Sequence, residues 1–261
     1  MILKKNKFGF IQGRLTKQKK KIQQFPSKNW KEEFRIAKKL KLEFIEWTID
    51  HYGFYKNPLL NKNYIKPIKI ISKKNNIKIN SVTADFFMER PFWKQKNFKH
   101  YIKKIELLIK FCGIHKIKFI VIPLVDNSSI INNSVEKIVI RELNKLNNLL
   151  EKFKVNILFE SDFNPQKLLK FIKNFKNKNF GINYDLGNSA SLSYALDNEF
   201  NTYGKFIKNI HIKDRIKNGK TVRLGNGSVN FKTFFKLIKK INYKGPLILQ
   251  TARSLRKGHD S

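Results

Sequence analysis

Short apolar runs alternate with longer stretches of helical period along the whole chain. Eight of the short runs read as buried strands, at residues 8–12, 43–47, 77–83, 117–123, 155–160, 180–185, 207–212 and 247–250. Segments of helical spacing lie between them, among them 30–40, 64–75, 97–112, 135–153, 165–175 and 231–241. Strand and helix in regular alternation is the pattern of βα units around a parallel sheet. Eight such strands favour closure, because a closed sheet removes its own edges. The expected fold is therefore α/β, a (β/α)8 TIM barrel forming one domain over residues 1–261, with a doubly wound open sheet as the alternative. The length of 261 residues agrees, since such barrels typically have roughly 250. No Pro-, Gly- or Ser-rich stretch reads as a linker between domains. Only SLRKGHDS follows the Ala252–Arg253 pair, so the last helix is expected to be missing or shortened. Another subunit of a homo-oligomer, or a short irregular segment, would then cover the seam.

Four strand ends carry the chemistry. Glu160 in ILFESD, Asp185 in INYDLGN and His211 in NIHIKD each stand where a predicted strand runs out into a loop, and Gln250 ends PLILQ. In a parallel barrel those positions converge at the carboxyl-end mouth. Two carboxylates, an imidazole and a carboxamide oxygen make a shell for a hard divalent cation. Such ligation suits Mn²⁺ or Mg²⁺, with Zn²⁺ or Co²⁺ as alternatives. Against this, either carboxylate has a simpler use in pairing with one of the many lysines, and His211 taken alone is a satisfied core histidine. A metal-bound imidazole needs an acceptor on its other nitrogen. Asp162 and Asp214 are the candidates, with Asp214 better placed to organise its own loop.

Further polar residues are predicted at the same mouth. Gln12 and Arg14 follow the first strand, Lys213 and Arg215 the seventh, and Arg253 the eighth. Arginine's planar fork suits a phosphate or carboxylate, with a surface ion pair as the plainer reading. Glu46, at the end of strand two, would bond sugar hydroxyls or accept from Arg14. Asn188 in DLGN would fix the turn after Asp185 or touch substrate. Phe86, Phe87, Phe92 and Trp93 follow strand three beside Asp85, Glu89 and Arg90, either as an apolar lid or as loop packing or a dimer contact. The loop 213–230, with Gly219, Gly225 and Gly227, would fold back over the mouth.

Charge and cysteine usage narrow the class. Lys and Arg number 55 against 19 Asp and Glu, a formal net charge of +36, which raises the question of nucleic acid. The lysines, however, are spread over almost every predicted helix among many Asn and Ile, as solvated faces with a compositional bias would be. Nucleic acid is therefore not the expected partner, and the run 17–21 reads as a solvated loop. The single Cys112 lies near the end of an apolar helix, as a small core residue. No run of about 18 apolar residues is present and the N-terminal apolar stretch is too short for a signal peptide, so a soluble cytoplasmic protein without membrane contact is expected.

The segments FESD, YDLGNSAS, HIKDR, VRLGNGSVNF and PLILQ, in this order, with the opening QGRL and the strand FIEW, resemble the xylose isomerase-like TIM barrels. They are most similar to the sugar-phosphate isomerase/epimerase branch that includes L-xylulose-5-phosphate 3-epimerases. The resemblance implies a divalent metal held by Glu160, Asp185, His211 and the position of Gln250. It also implies that Glu160 and residue 250 face a small sugar or sugar phosphate from opposite sides as acid/base groups. The family usually has Glu at the last position. Gln250 can still coordinate through its oxygen, but it cannot accept and return a proton. The change favours a one-base reaction through an enediolate with Glu160 as base. It also leaves the cation a stronger Lewis acid that is less tightly held. Asn226 in LGNG departs as well, where many relatives have Glu. The implied activity is a metal-dependent isomerase or epimerase. The alternatives are a catalytically weakened sugar-binding or scaffold barrel and, less favoured, an apurinic-site endonuclease of the same superfamily, for which His51, His100, His115 and His259 do not supply the extra metal ligands.

Overall fold

The computed structural model describes residues 7–17 and 23–252. Strands β1 (Phe8–Ile11), β2 (Phe44–Thr48), β3 (Lys78–Thr83), β4 (Phe119–Leu124), β5 (Asn156–Ser161), β6 (Phe180–Asp185) and β7 (Ile207–Ile212) run in order round a barrel. A small hairpin of β8 (Asp214–Arg215) and β9 (Thr221–Val222) interrupts the series, and β10 (Leu247–Leu249) completes it. Strand β10 pairs in parallel with β7 on one side and β1 on the other. That pairing closes the sheet and rules out the open doubly wound alternative. All eight predicted strands are present, and Gln250 lies one residue past β10, its N–H bonded to the Ile212 carbonyl at 2.9 Å.

Helices α1 (Trp30–Lys39), α2 (Ile65–Asn75), α3 (Asp85–Glu89), α4 (Phe98–Ile114), α5 (Asn133–Asn144), α6 (Asn147–Phe153), α7 (Pro165–Lys173), α8 (Leu186–Ser191), α9 (Leu196–Tyr203) and α10 (Phe231–Lys240) surround it. Local chemistry sets several ends. Asn132, Asn164 and Asn230 each accept a backbone N–H of the first turn of α5, α7 and α10, and Pro165 fills a position that needs no donor. Asn76 and Lys154 take left-handed conformations that terminate α2 and α6. The single helix predicted over 135–153 is two helices. At the break, Leu146 N–H tightens onto the Leu143 carbonyl, and the Asn144 amide bonds both the Ile140 carbonyl and that of Asn174 on the next βα unit. A side chain that bonds backbone carbonyls in this way competes with the helical ladder.

The core is the layer between strands and helices. Phe159 on β5, Phe171 on α7 and Phe180 on β6 show the pattern, with Phe159 5.1 Å from Phe171 and 5.9 Å from Phe180, centroid to centroid. Each large apolar side chain so buried contributes about 1.5–3 kcal/mol. Cys112 is buried in α4, as expected of a core thiol. Among the described residues no helix is long and apolar enough to cross a membrane. The segment that would form or lack a last helix, with Arg253 and His259, lies outside the described residues, as does most of the basic run 17–21.

Candidate metal centre

Register brings the predicted ligands together. Asp185 pairs directly with His211 across β6 and β7, and Glu160 stands near the end of the neighbouring β5. One ligand atom from each of Glu160, Asp185 and His211 lies within 4.8 Å of the others, and among the described residues these three form the one such group of His, Cys, Asp and Glu. All three are buried. Nδ1 of His211 is 3.2 Å from Glu160 Oε2 and 3.9 Å from Asp185 Oδ2. His51, His100 and His115 take no part.

Neighbouring amides orient the carboxylates. The Asn183 amide donates to Glu160 Oε2 at 2.9 Å and the Asn188 amide to Glu160 Oε1 at 2.8 Å. Asp185 spends Oδ1 on the backbone N–H of Asn188, 2.8 Å away, which caps the short helix α8. Its Oδ2 lies 2.7 Å from Lys213 Nζ in an ion pair but accepts no well-directed hydrogen bond. The Asn188 backbone N–H fixes the turn after Asp185, as expected, and its side-chain amide bonds Glu160.

A polar layer lies beneath. Glu46 on β2 is fully buried, and its Oε1 is 2.7 Å from His211 Nε2. Its Oε2 accepts from Ser81 Oγ at 2.7 Å and from the Asn209 amide at 3.0 Å, and Asn209 also donates to Asn183 Oδ1 at 2.7 Å. Two sequence expectations are corrected here. Glu46 does not reach out to sugar hydroxyls or to Arg14, because it is sealed inside the barrel against His211. The acceptor behind the imidazole is Glu46, neither Asp162 nor Asp214. Asp162 is occupied by the Ser129 hydroxyl. Asp214 gathers the backbone N–H groups of Gly225, Gly227 and Val229, organising its own loop as expected. A Cβ on Gly227 would stand 2.1 Å from Asp214 Oδ1, which explains the glycine. Asn226 is exposed in that turn.

Burial alone would push the His211 pKa down, but the Glu46 and Glu160 carboxylates outweigh it and raise the pKa to about 10. Glu46 at Nε2 and Glu160 at Nδ1 favour the imidazolium, and the Asn183 amide also lies 3.2 Å from Nδ1. Glu160, Asp185 and His211 would hold a divalent ion, with Glu46 beside Nε2 as the acceptor that orients a ligating histidine. Two carboxylates, an imidazole with its acceptor in place and an aspartate oxygen without a directed donor fit such an ion.

The remaining predicted residues are distributed as follows. Gln250 Oε1 accepts from Lys213 Nζ at 3.2 Å, and its Nε2 donates to Gln23 Oε1 at 2.9 Å. Arg14 donates to the Thr251 carbonyl at 3.0 Å and to Gln23 Oε1 at 3.2 Å, tying the first strand to the last. Arg215 holds the Gly219 carbonyl and Asn188 Oδ1, so its guanidinium supports the group that bonds Glu160. Gln12 is fully buried, with Oε1 on the Thr48 N–H and Nε2 without a hydrogen bond. Phe86, Phe87 and Phe92 are buried and Trp93 packs edge-on to Phe87 and Phe92, which makes the aromatic cluster loop packing. Sequence reasoning did not single out Asn183, Asn209, Ser81 or Gln23. The first three are polar residues inside otherwise apolar strands, and that was the available signal.

Comparison with known proteins accords with this geometry. The model of the family described as xylose isomerase-like TIM barrel matches residues 34–260. No curated protein matches the sequence. Similar solved structures include D-psicose 3-epimerase from Clostridium cellulolyticum H10 with D-tagatose (TM-score 0.74, 13% identity, 97% of this chain and 87% of that one). Also similar are the IOLI protein with a bound zinc atom (TM-score 0.73, 18% identity, 94% and 88%) and a xylose isomerase-like TIM barrel protein from Mycobacterium smegmatis with magnesium (TM-score 0.67, 14% identity, 90% and 84%). At these identities the likeness is one of fold. With the family model matched over nearly the whole barrel, the chain belongs to the xylose isomerase-like TIM barrel family.

Proposed function

We propose that this protein is a divalent-metal-dependent isomerase or epimerase of a small sugar or sugar phosphate, with Glu160 as the base. The observation that carries the reading is the convergence of Glu160, Asp185 and His211 at the mouth, with Glu46 behind the imidazole. Membership of the family and the sugar-bound epimerase among similar folds support the substrate class. A divalent ion held by Glu160, Asp185 and His211, with Gln250 as a further oxygen donor, would polarise the substrate's carbonyl and hydroxyl oxygens. Mn²⁺ and Mg²⁺ suit this donor set best, with Zn²⁺ and Co²⁺ as alternatives.

The protein's own groups supply the rest. Glu160 takes a proton from the carbinol carbon beside the carbonyl and returns it to the former carbonyl carbon on the same face, while the carbinol's hydroxyl proton passes across the cis-enediol to the former carbonyl oxygen, which converts aldose to ketose without a second carboxylate base. The Asn183 and Asn188 amides hold its carboxylate in one orientation for both transfers. Lys213 and Arg14 place positive charge at the rim, where an anionic substituent would sit. Gln250 cannot exchange a proton, so isomerisation, or a dehydration from the same enolate, is more natural than inversion. The test is Glu160→Gln. Turnover should fall by at least about 10²-fold with the fold retained, and unchanged turnover would remove Glu160 as base. Gln250→Glu separates the alternative of a depleted scaffold barrel: a large gain in epimerisation would favour it, whereas loss of native turnover would show that Gln serves the reaction.

A further inference from the structure

A chain of side-chain amides crosses the mouth and ends on a buried acid that the reaction scheme does not use. Asp85, at the start of α3, accepts from Thr83 Oγ1 on Oδ1 and from Gln23 Nε2 on Oδ2, both at 2.7 Å. An ionised carboxylate only accepts hydrogen bonds. Gln23 must therefore turn its NH₂ toward Asp85, which leaves its carbonyl oxygen for the opposite side. There it accepts from Gln250 Nε2 at 2.9 Å and from Arg14 Nη2 at 3.2 Å. Gln250 in turn must present its own carbonyl oxygen outward, and that oxygen faces Lys213 Nζ at 3.2 Å, which is 2.7 Å from Asp185 Oδ2. The two ends of an amide are nearly isosteric, so its orientation is fixed by its partners. Here an acceptor at one end of the chain and cations at the other demand the same orientation.

We propose that Asp85 is a positioning residue that, through Gln23, fixes the Gln250 amide with its oxygen toward Lys213 and Asp185, and that this relay tolerates a carboxylate at position 85 or at position 250 but not at both. Gln23 has one NH₂ group, and it cannot serve two acids on opposite sides. The relay gives a physical reason for glutamine at 250: the acceptor-only end already stands at Asp85, and the amide then presents an oxygen to the cation side of the mouth. The inference deepens the metal-site reading, on which it rests, by naming what orients its fourth ligand. The hydrogen-bond logic itself holds without any ion.

A double-mutant cycle of wild type, Asp85→Asn, Gln250→Glu and the double variant tests this in chelator at pH 8. Burial pushes the Asp85 carboxyl up to about 6, so it is ionised under those conditions. In the wild-type background Gln250→Glu sets a carboxylate against Gln23 Oε1 and should lower Tm. In the Asp85→Asn background Gln23 can turn over to donate to Glu at 250 while Asn at 85 donates to Gln23, and Arg14 Nη2, which now donates to Gln23 Oε1, turns to the new carboxylate. The loss should shrink or reverse, a departure from additivity of roughly 2–4 °C or more. Gln23→Leu should abolish the coupling. Additive shifts within about 1 °C, or coupling that survives Gln23→Leu, would overturn the relay. If a variant fails to fold, side-chain amide NMR of the wild-type protein decides: the Gln250 NH₂ protons should show contacts to Gln23, and contacts to Lys213 instead would overturn it. Because the cycle is run without metal, its outcome is independent of whether the centre binds an ion.

Discussion

Replacing Glu46 by glutamine tests the buried layer beneath the centre. In metal-free protein His211 has its pKa raised from 6.5 to about 10, against the effect of its own burial and mainly by Glu46, then Glu160. Because the folded-state value lies above the unfolded one, the associated stability is fully present below about 6.5 and is lost as pH rises through about 10. A shift of that size corresponds to about 5 kcal/mol at most. Removing one partner of a buried pair typically costs about 3–5 kcal/mol, in agreement. Gln at 46 can still accept from His211 Nε2–H, but its NH₂ would then face the Asn209 amide that now donates to Glu46, so the layer cannot be satisfied without rearrangement. Urea denaturation of wild type and Glu46→Gln in chelator, from pH 6 to pH 10.5, should show a loss of several kcal/mol near pH 7 that narrows toward pH 10. Comparing the two proteins cancels the titration of the many lysines. Metal affinity at pH 7 should fall about 10- to 100-fold, as for other partners of a ligating histidine. Equal stability at pH 7 with parallel pH profiles would refute the pairing and the assignment of Glu46 as the orienting acceptor.

Other substitutions probe separate parts of the structure. Asp214→Ala removes the acceptor of three backbone N–H groups in the loop that follows β8 and β9. It should cost about 1–3 kcal/mol in denaturant titrations and speed proteolysis within 217–228, while leaving Glu160, Asp185 and His211 in place. Phe159→Ala opens a cavity among Phe171, Phe175 and Phe180 and should cost about 3–5 kcal/mol in the same assay. A salt titration of duplex DNA binding should show only weak, salt-labile association without strand cleavage, as expected of dispersed lysines.

The strands and the grouping of Glu160, Asp185 and His211 were legible because each strand is a short apolar run, and these three side chains stand at its last or next-to-last position. The Asp214 loop was legible for a similar reason, since its partners lie within about one loop of sequence. Glu46 was misread because its role depends on what stands opposite β2 inside a closed barrel. It lies 165 positions from His211, and nothing local distinguishes an acid facing the mouth from one facing an imidazole. Gln23 escaped notice because it sits in a polar stretch and meets Asp85 and Gln250 only once the barrel has closed. The break between α5 and α6 was illegible because Asn144 ends the helix by reaching a carbonyl on the next unit, a contact that helical periodicity does not encode.

The central claim is that Glu160, Asp185 and His211 hold a divalent ion, and the most direct measurement is the metal content of purified, dialysed protein by mass spectrometry, with His211→Ala alongside. About one equivalent of a divalent metal per chain, lost in the variant, is the predicted result. No bound metal even after reconstitution with Mn²⁺, or equal content in the variant, would contradict it.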